Sequence, residues 1–266
     1  MGCENGCYAE MTMMQACAGT IGRNIAVAVT VFAVLALCGP SQASAWAAGL
    51  EVTGEARMAR ERMVREQLVE RYGVDDQTVL EAMRAVPRHL FVPEDARHAA
   101  YDDRPVPIGY GQTISQPFIV AFMTSMARVG PGSRVLEIGA GSGYQAAVLA
   151  EITDQVFTVE IVPELAAWAE ARLRQGGYGS VRVRQGDGYH GWEEFAPFDA
   201  IIVTAAAPHI PPPLIRQLAD GGRIVIPVGS PFRTQQLVLV EKRGGEIRTR
   251  NVMPVRFVPF TGAFGE

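Results

Sequence analysis

The chain has 266 residues, of which 48% are hydrophobic, and its formal net charge is −4 at pH 7. This length and apolar content suffice for one large α/β domain, and the slight acidity argues against a protein that binds nucleic-acid phosphates. All four cysteines lie in the first 38 residues, so the remainder holds no disulfide, cysteine nucleophile or cysteine-ligated zinc.

The start of the chain has the layout of a secretory signal peptide. Arg23 precedes an apolar run at residues 25–37, and a stretch of small residues follows. The run is too short to span a bilayer comfortably. The polar segment ahead of Arg23 is unusually long for a signal, however, so a translation start at Met58 or Met63 is a second interpretation.

On either interpretation we expect residues 1–57 to be a leader outside the fold and residues 58–266 to form a single domain. That domain begins with two predicted helices. Apolar residues recur at helical spacing over residues 58–72, and Asp75 or Asp76 caps the second helix.

A segment rich in proline and glycine follows at residues 101–117. A loop of this length ahead of a buried helix is either functional or disordered, and Ile108, Tyr110 and Ile114 argue against disorder. Pro117 then opens a helix. Its buried side is predicted to contain Phe118, Ile119, Phe122, Met123 and Met126.

The most informative stretch is a short apolar strand that runs directly into a glycine turn and a helix. The turn contains three alternate glycines, Gly139, Gly141 and Gly143. Glycines let a ligand approach the backbone closely, and a helix N-terminus offers free N–H groups. The spacing Gly-x-Gly-x-Gly, with Glu137 inside the strand, differs from the dinucleotide pattern and resembles the S-adenosylmethionine (SAM) loop of Rossmann-like methyltransferases. A turn without a ligand is the alternative.

A second short strand at residues 156–160 ends in Glu160, 21 residues beyond Gly139. An acid at the tip of the second strand can accept hydrogen bonds from both ribose hydroxyls. An exposed charge at a strand end is the alternative interpretation. Together, the glycines and the acid favour a nucleoside-binding site.

The alternation of strands and helices continues to residue 228 and then gives way to a hairpin. The pattern predicts helices at 163–175 and 213–220, strands at 181–185, 198–204 and 223–228, and hairpin strands at 236–242 and 246–254. It therefore indicates an α/β fold: a Rossmann-like, doubly wound, mostly parallel sheet with N-terminal helices and a C-terminal antiparallel hairpin.

From about Met63 to Thr261 the chain resembles the protein-L-isoaspartate O-methyltransferases. The matching motifs lie at residues 86–92, 109–117, 135–144, 186–188, 198–205 and 256–259. The glycine loop alone indicates a methyltransferase, whereas Gly-Gln-Thr-Ile-Ser-Gln-Pro at 111–117 is far more specific. Two departures are the extra leader and Phe118, which stands where some relatives carry His and whose role stays open.

The resemblance implies that SAM donates its methyl group to the free α-carboxylate of an L-isoaspartyl residue in a damaged protein. The ester closes to a succinimide that can reopen as normal aspartate, so the enzyme acts in protein repair. Such a carboxylate has a pKa near ~3.5, is ionised at pH 7 and needs no general base. Catalysis is then mainly positioning.

The resemblance also implies roles for individual residues on the cofactor side. Glu137 and the three glycines belong to the SAM loop, Glu160 holds the ribose, and Asp187 faces the adenine amino group with the Gly188 backbone beside it. An ordinary Asp-Gly turn is the alternative for the last pair.

On the substrate side, Ser115 resembles the active-site serine of the family, and Thr113 and Ile114 are expected to touch substrate or donor. Arg256 and Val258 belong to a segment expected to close over the site. The alternatives are a helix N-cap for Ser115 and a plain C-terminal strand for the segment.

Other functions stay open from the sequence: a methyltransferase of a small molecule, a NAD-dependent oxidoreductase, or a ligand-binding module without catalysis. Isoaspartyl proteins and peptides are the expected partners, with no nucleic acid or membrane, and the chain is expected to be a monomer. His89 has no metal ligand at suitable spacing, so no metal is expected. Because SAM is made in the cytosol, we expect a cytoplasmic enzyme; a periplasmic or secreted one is the alternative.

Overall fold

The computed structural model describes residues 54–230 and 233–263. The predicted leader lies outside the described residues as far as residue 53, and residues 54–57 begin the first helix. The boundary at residue 58 therefore stays a prediction. Within the described ranges, no helix is both long and apolar enough to cross a membrane.

The helices, in chain order, are α1 (residues 54–62, continued as a π-helix over Met63–Arg71), α2 (Gln77–Ala85), α3 (Pro117–Ala127), α4 (Tyr144–Ala150), α5 (Pro163–Gln175) and α6 (Pro212–Gln217). The strands are β1 (Val106–Gly109), β2 (Gln112–Ile114), β3 (Arg134–Ile138), β4 (Gln155–Glu160), β5 (Arg182–Gln185), β6 (Phe198–Val203), β7 (Leu218–Val228), β8 (Gln235–Arg243) and β9 (Glu246–Val255). Short 3₁₀ turns lie at Arg88–Phe91, Glu94–Ala99, Gly188–His190 and Glu193–Phe195.

Seven of these strands form one sheet in the order β5-β4-β3-β6-β7-β8-β9. Strands β3 to β7 pair in parallel, whereas β8 and β9 continue the sheet antiparallel as a hairpin. The strand order reverses on either side of β3, and ligands of such sheets bind where the carboxyl ends diverge at that point. The predicted Rossmann-like class is confirmed.

Alternate residues of the central strand pack on opposite faces of the sheet. Val135 belongs to a core shared with the N-terminal helices and α4, and Leu136 belongs to a second core that includes Leu214 of α6. A strand buried on both faces reads as a continuous apolar run. Packing on both faces fixes the position and direction of β3, and therefore the place where the glycine turn begins.

The predicted buried face of α3 is confirmed in part. Met123 is buried, and the other four predicted residues, Phe118, Ile119, Phe122 and Met126, are half-buried and pack against the core. Ala121 and Ala127 are buried as well, and their small side chains let the helix approach the sheet closely. The helix is apolar all round, so its sequence does not mark one face.

Two further elements differ from the sequence prediction. The segment taken as a loop contains the antiparallel hairpin β1–β2, and helix α6 ends at Gln217. Strand β7 begins at Leu218, where the chain pairs with Phe198 of β6. Of the two proposed caps, Asp76 is the N-cap of α2, since its Oδ1 accepts a 3.2 Å hydrogen bond from the N–H of Val79.

Candidate active site

A cavity of about 770 Å³, including its open mouth, lies at the carboxyl ends of β3, β4 and β6. Most of the residues predicted for the site line it: Thr113, Ile114, Ser115, Glu137, Gly139, Gly141, Glu160, Gly188 and Val258. The remaining three, Gly143, Asp187 and Arg256, lie outside its lining. The fold thus brings residues separated by 145 positions into one site.

The first and third glycines of the turn have different structural roles. Gly139 has φ +94°, and a Cβ there would lie 2.3 Å from Oγ1 of Thr204, which itself donates to the carbonyl of Gly139. Gly143 has φ +86°, and its α-carbon faces α5, where a Cβ would meet Leu173 at 3.2 Å. The first glycine therefore allows close approach beside the cavity, whereas the third packs two helices together.

Glu160 joins the tip of β4 to the glycine turn. Its Oε2 accepts a 2.8 Å hydrogen bond from the N–H of Gly141, and its Oε1 accepts one of 3.0 Å from Val162. Each carboxylate oxygen has a second lone pair, so two acceptor positions remain for a ligand. The side chain is held in place and lines the cavity, as a ribose-binding acid must.

Glu137 is a fully buried carboxyl group on the central strand. Its neighbour in register is Thr158, whose hydroxyl donates a 2.5 Å hydrogen bond to Oε2. Among the described residues, Oε1 has no hydrogen-bond partner. Burial, with a smaller contribution from nearby Glu160, raises the pKa of Glu137 to about 8 despite the hydrogen bond from Thr158.

The acidic lining of the cavity suits a cationic ligand. Glu137 and Glu160 are the acidic residues of this lining, and no Lys or Arg stands among the described residues that line it. Glu137, with a pKa of about 8, gains its charge most readily when a positive group lies beside it. SAM suits this lining, because its sulfonium and ammonium groups are positive. The spacing Gly-x-Gly-x-Gly differs from the dinucleotide pattern, which disfavours NAD and an oxidoreductase.

Asp187 uses its carboxylate within the protein. Oδ1 accepts a hydrogen bond of 2.9 Å from the N–H of Tyr189, and Oδ2 accepts one of 2.8 Å from Ala263. It thereby ties the C-terminal segment to the turn after β5. Gly188, its neighbour, lines the cavity, and its place beside the adenine stays a prediction.

Ser115 stands at the junction of the cavity with a second cleft. The N-cap of α3 is Gln116, and no side-chain cap bond is made there, so Ser115 is not the helix cap. Its hydroxyl makes no hydrogen bond with any residue in the described part of the chain, whereas its carbonyl accepts one from Arg88. The hydroxyl is thus available to a ligand.

The second cleft is lined by Thr113, Ser115, Thr204 and Val258, all shared with the cavity, and by Arg256. Arg256 is exposed, and within the described ranges its guanidinium has no ion-pair partner. A cation at this cleft can attract an anionic group that the electronegative cavity would repel.

The sequence analysis missed the contribution of Arg88. Its guanidinium is fully buried and donates to the carbonyls of Ala100 at 2.6 Å and Ser115 at 2.7 Å, and it lies 4.7 Å from the ring centroid of Tyr144. Burial lowers the pKa of Arg88 to about 10, so it stays charged at pH 7. It links the serine loop to the first residue after the glycine turn.

Taken with the switch point in the sheet, a cation-accepting cavity built on a glycine turn places the protein in the class of SAM-dependent methyltransferases. Comparison with known families narrows this class. The family model described as protein-L-isoaspartate(D-aspartate) O-methyltransferase matches residues 58–265, and the chain belongs to this family. The resemblance found in the sequence motifs is confirmed.

Individual relatives agree. The chain is 61% identical over 202 residues to a protein-L-isoaspartate O-methyltransferase of Opitutus terrae, covering 76% of this chain and 86% of that protein. It is 59% identical over 199 residues to one of Gloeobacter violaceus, covering 75% and 97%.

Two solved structures have the same fold. A protein-L-isoaspartate O-methyltransferase aligns with TM-score 0.70 and 29% identity, covering 77% of this chain and 67% of that one. A protein described as a protein-L-isoaspartate O-methyltransferase from Plasmodium falciparum, in complex with S-adenosyl-L-homocysteine, aligns with TM-score 0.68 and 27% identity, covering 76% and 98%.

The buried carboxyl group predicts a pH dependence of stability. Unfolded Glu137 has a pKa of 4.5 and the folded one about 8, so between these values unfolding releases a proton. The free energy of unfolding of the ligand-free protein should therefore fall as the pH rises from about 4.5 to about 8.

Urea unfolding of wild type and Glu137→Gln across this range measures the effect. The stability advantage of Glu137→Gln should grow with pH, because the amide cannot ionise. Glu164→Gln, at an exposed position in the first turn of α5, is the control and should stay parallel to wild type. A constant difference between Glu137→Gln and wild type would contradict the raised pKa.

Proposed function

We propose that this protein transfers the methyl group of SAM to the free α-carboxylate of L-isoaspartyl residues in damaged proteins. The observation that carries the proposal is the junction at Ser115: a cation-accepting cavity meets an open cleft at a serine hydroxyl that has no hydrogen-bond partner among the described residues. Methyl transfer requires the methyl donor and the accepting carboxylate to meet at a junction of this kind.

The proposed cofactor contacts follow from the charges of the cavity. Glu160 holds the ribose, Glu137 faces the positive amino-acid end, and the backbone at Gly188 lies beside the adenine. When bound, SAM supplies an electrophilic methyl group, so that a C–O bond forms on the carboxylate as a C–S bond breaks, and no proton moves.

The protein's own task is therefore to position and to exclude water. Ser115 and Thr113 hold the carboxylate, which is already ionised at pH 7. Arg256 attracts this anion and offsets the repulsion from the acidic lining of the cavity. Val258 and its neighbours in the C-terminal segment form the wall common to both clefts and keep solvent from the reacting atoms.

The lining of the second cleft supports a polypeptide acceptor over a small molecule. The cleft is open to solvent, and its lining extends from Ser115 past Tyr72 and Phe118 to Arg256. A carboxylate alone would contact a small part of this lining. The proposal extends to a cytoplasmic protein, because the donor is made in the cytosol, and to a monomer.

The reaction is tested with two peptides of identical sequence, one containing L-isoaspartate and one containing L-aspartate. We expect methyl ester and S-adenosylhomocysteine to form with the isoaspartyl peptide only, because the aspartyl isomer has no free α-carboxylate at that position. Mass spectrometry of the peptides before ester hydrolysis measures this. Methylation of small carboxylic acids alone would favour the small-molecule alternative.

Removing the proposed ribose contact should weaken cofactor binding selectively. Glu160→Ala should reduce SAM affinity by about 1–3 kcal/mol, the range for losing a charged hydrogen-bond partner. The KM for isoaspartyl peptide at saturating SAM should barely change. Calorimetry with SAM measures the affinity, with Glu164→Ala as the matched exposed control. Wild-type affinity in Glu160→Ala would remove Glu160 from the ribose.

Ser115→Ala should lower turnover of isoaspartyl peptide while SAM affinity stays near that of wild type. The serine orients the attacking oxygen and does not titrate, so the pH profile of kcat should keep its shape. Because Ser115 is not the cap of α3, the melting temperature should also stay unchanged. Full turnover with a loss of about 0.5–2 kcal/mol of stability is the signature of a helix cap and would contradict the catalytic role.

A further inference from the structure

The second cleft contains an aromatic pair that the roles proposed so far leave unused. Tyr72 and Phe118 stack with ring centroids 4.0 Å apart and an interplanar angle of 20°. Both line the cleft beside Ser115, and the Tyr72 side chain is 37% exposed. Large aromatic side chains with open faces are frequent binding anchors.

Tyr72 is held in its position by a polar network. Its hydroxyl donates a 2.8 Å hydrogen bond to Oδ2 of Asp103, and Gln116 donates to that hydroxyl at 3.2 Å. Asp103 also accepts from Gln116 at 2.7 Å and from Arg71 at 2.9 Å. The ring is therefore fixed before any ligand arrives, which reduces the entropy lost on binding.

The hydrogen bonds around Asp103 persist at neutral pH. Partial burial acts to raise the pKa of Asp103, but the hydrogen bonds from Gln116, Tyr72 and Arg71 outweigh it and keep the pKa below its usual value. Asp103 thus stays ionised. Phe118 is supported from behind by Phe122, whose ring centroid lies 5.5 Å away.

The rest of this cleft combines apolar and polar surface. Its apolar part includes Pro105, Ile119, Met253, Pro254, Val255 and Phe257, and its polar part includes Gln116, Thr234 and Arg256. Because the cleft shares Ser115 and Val258 with the cavity, whatever occupies it is continuous with the group that is methylated. On the proposed function, that occupant is the polypeptide next to the isoaspartyl residue.

We infer that Tyr72 and Phe118 form a preformed shelf that binds an aromatic side chain on a residue flanking the isoaspartyl residue. The inference deepens the proposed function and rests on it. It gives Phe118 a role: a specificity-determining side chain that stacks with substrate and takes no part in the chemistry.

The test uses isoaspartyl peptides that differ at one flanking position, with Gly or Phe placed before or after the isoaspartate. We expect wild type to show a kcat/KM about three- to tenfold higher for Phe than for Gly on one side, the size of an aromatic pairing preference, expressed mainly in KM. Tyr72→Ala and Phe118→Leu should bring this ratio close to one. Ile247→Ala, at an exposed apolar site on β9 outside the cleft, should keep it.

The outcomes separate the two proposals. If wild type methylates no isoaspartyl peptide, the proposed function fails and the shelf fails with it. If it methylates Gly and Phe peptides with equal kcat/KM, the function stands and the shelf is overturned. Persistence of the Phe preference in a folded Tyr72→Ala or Phe118→Leu protein, checked by thermal melting, also overturns the shelf.

Discussion

The carboxylate of Glu160 connects two strand ends, and the site depends on that connection. It ties the turn after β3, through Gly141, to the start of the segment that leads into α5, through Val162. Parallel strands end at one edge of a sheet, but nothing in strand pairing sets the path of the backbone beyond that edge. A hydrogen-bonded acid at this place sets the path and lines the cavity at the same time.

The acceptor side is organised by Arg88 in a comparable way. A guanidinium buried without a carboxylate partner among the described residues is costly, and two backbone carbonyls and an aromatic face offset part of this cost. Its Nε and Nη2 donate to the carbonyls, whereas its Nη1 has no hydrogen-bond partner among the described residues. One of those carbonyls belongs to Ser115. The loop that presents the serine is thus anchored on the 3₁₀ turn that follows α2, while the serine hydroxyl makes no hydrogen bond to any described residue.

Much of the sheet was predictable because strands buried on both faces give continuous apolar runs, as at residues 135–138. The most deeply buried positions of α3 were only partly predictable, because a helix that is apolar on all sides carries no directional pattern. The role of Arg88 was not predictable for another reason. It donates to the main-chain carbonyls of Ala100 and Ser115, and every residue type has such a carbonyl. The stack of Tyr72 on Phe118 likewise joins two elements that only the fold brings together.

The hydrogen bond between Asp187 and the N–H of Ala263 has a thermodynamic consequence. Under the role implied for Asp187, one carboxylate serves both the C-terminal segment around Ala263 and the adenine amino group. Each oxygen has a second lone pair, so binding of the nucleoside would leave the bond to Ala263 in place. Ligand binding and docking of this segment would then be linked, because each holds the same carboxylate in position for the other.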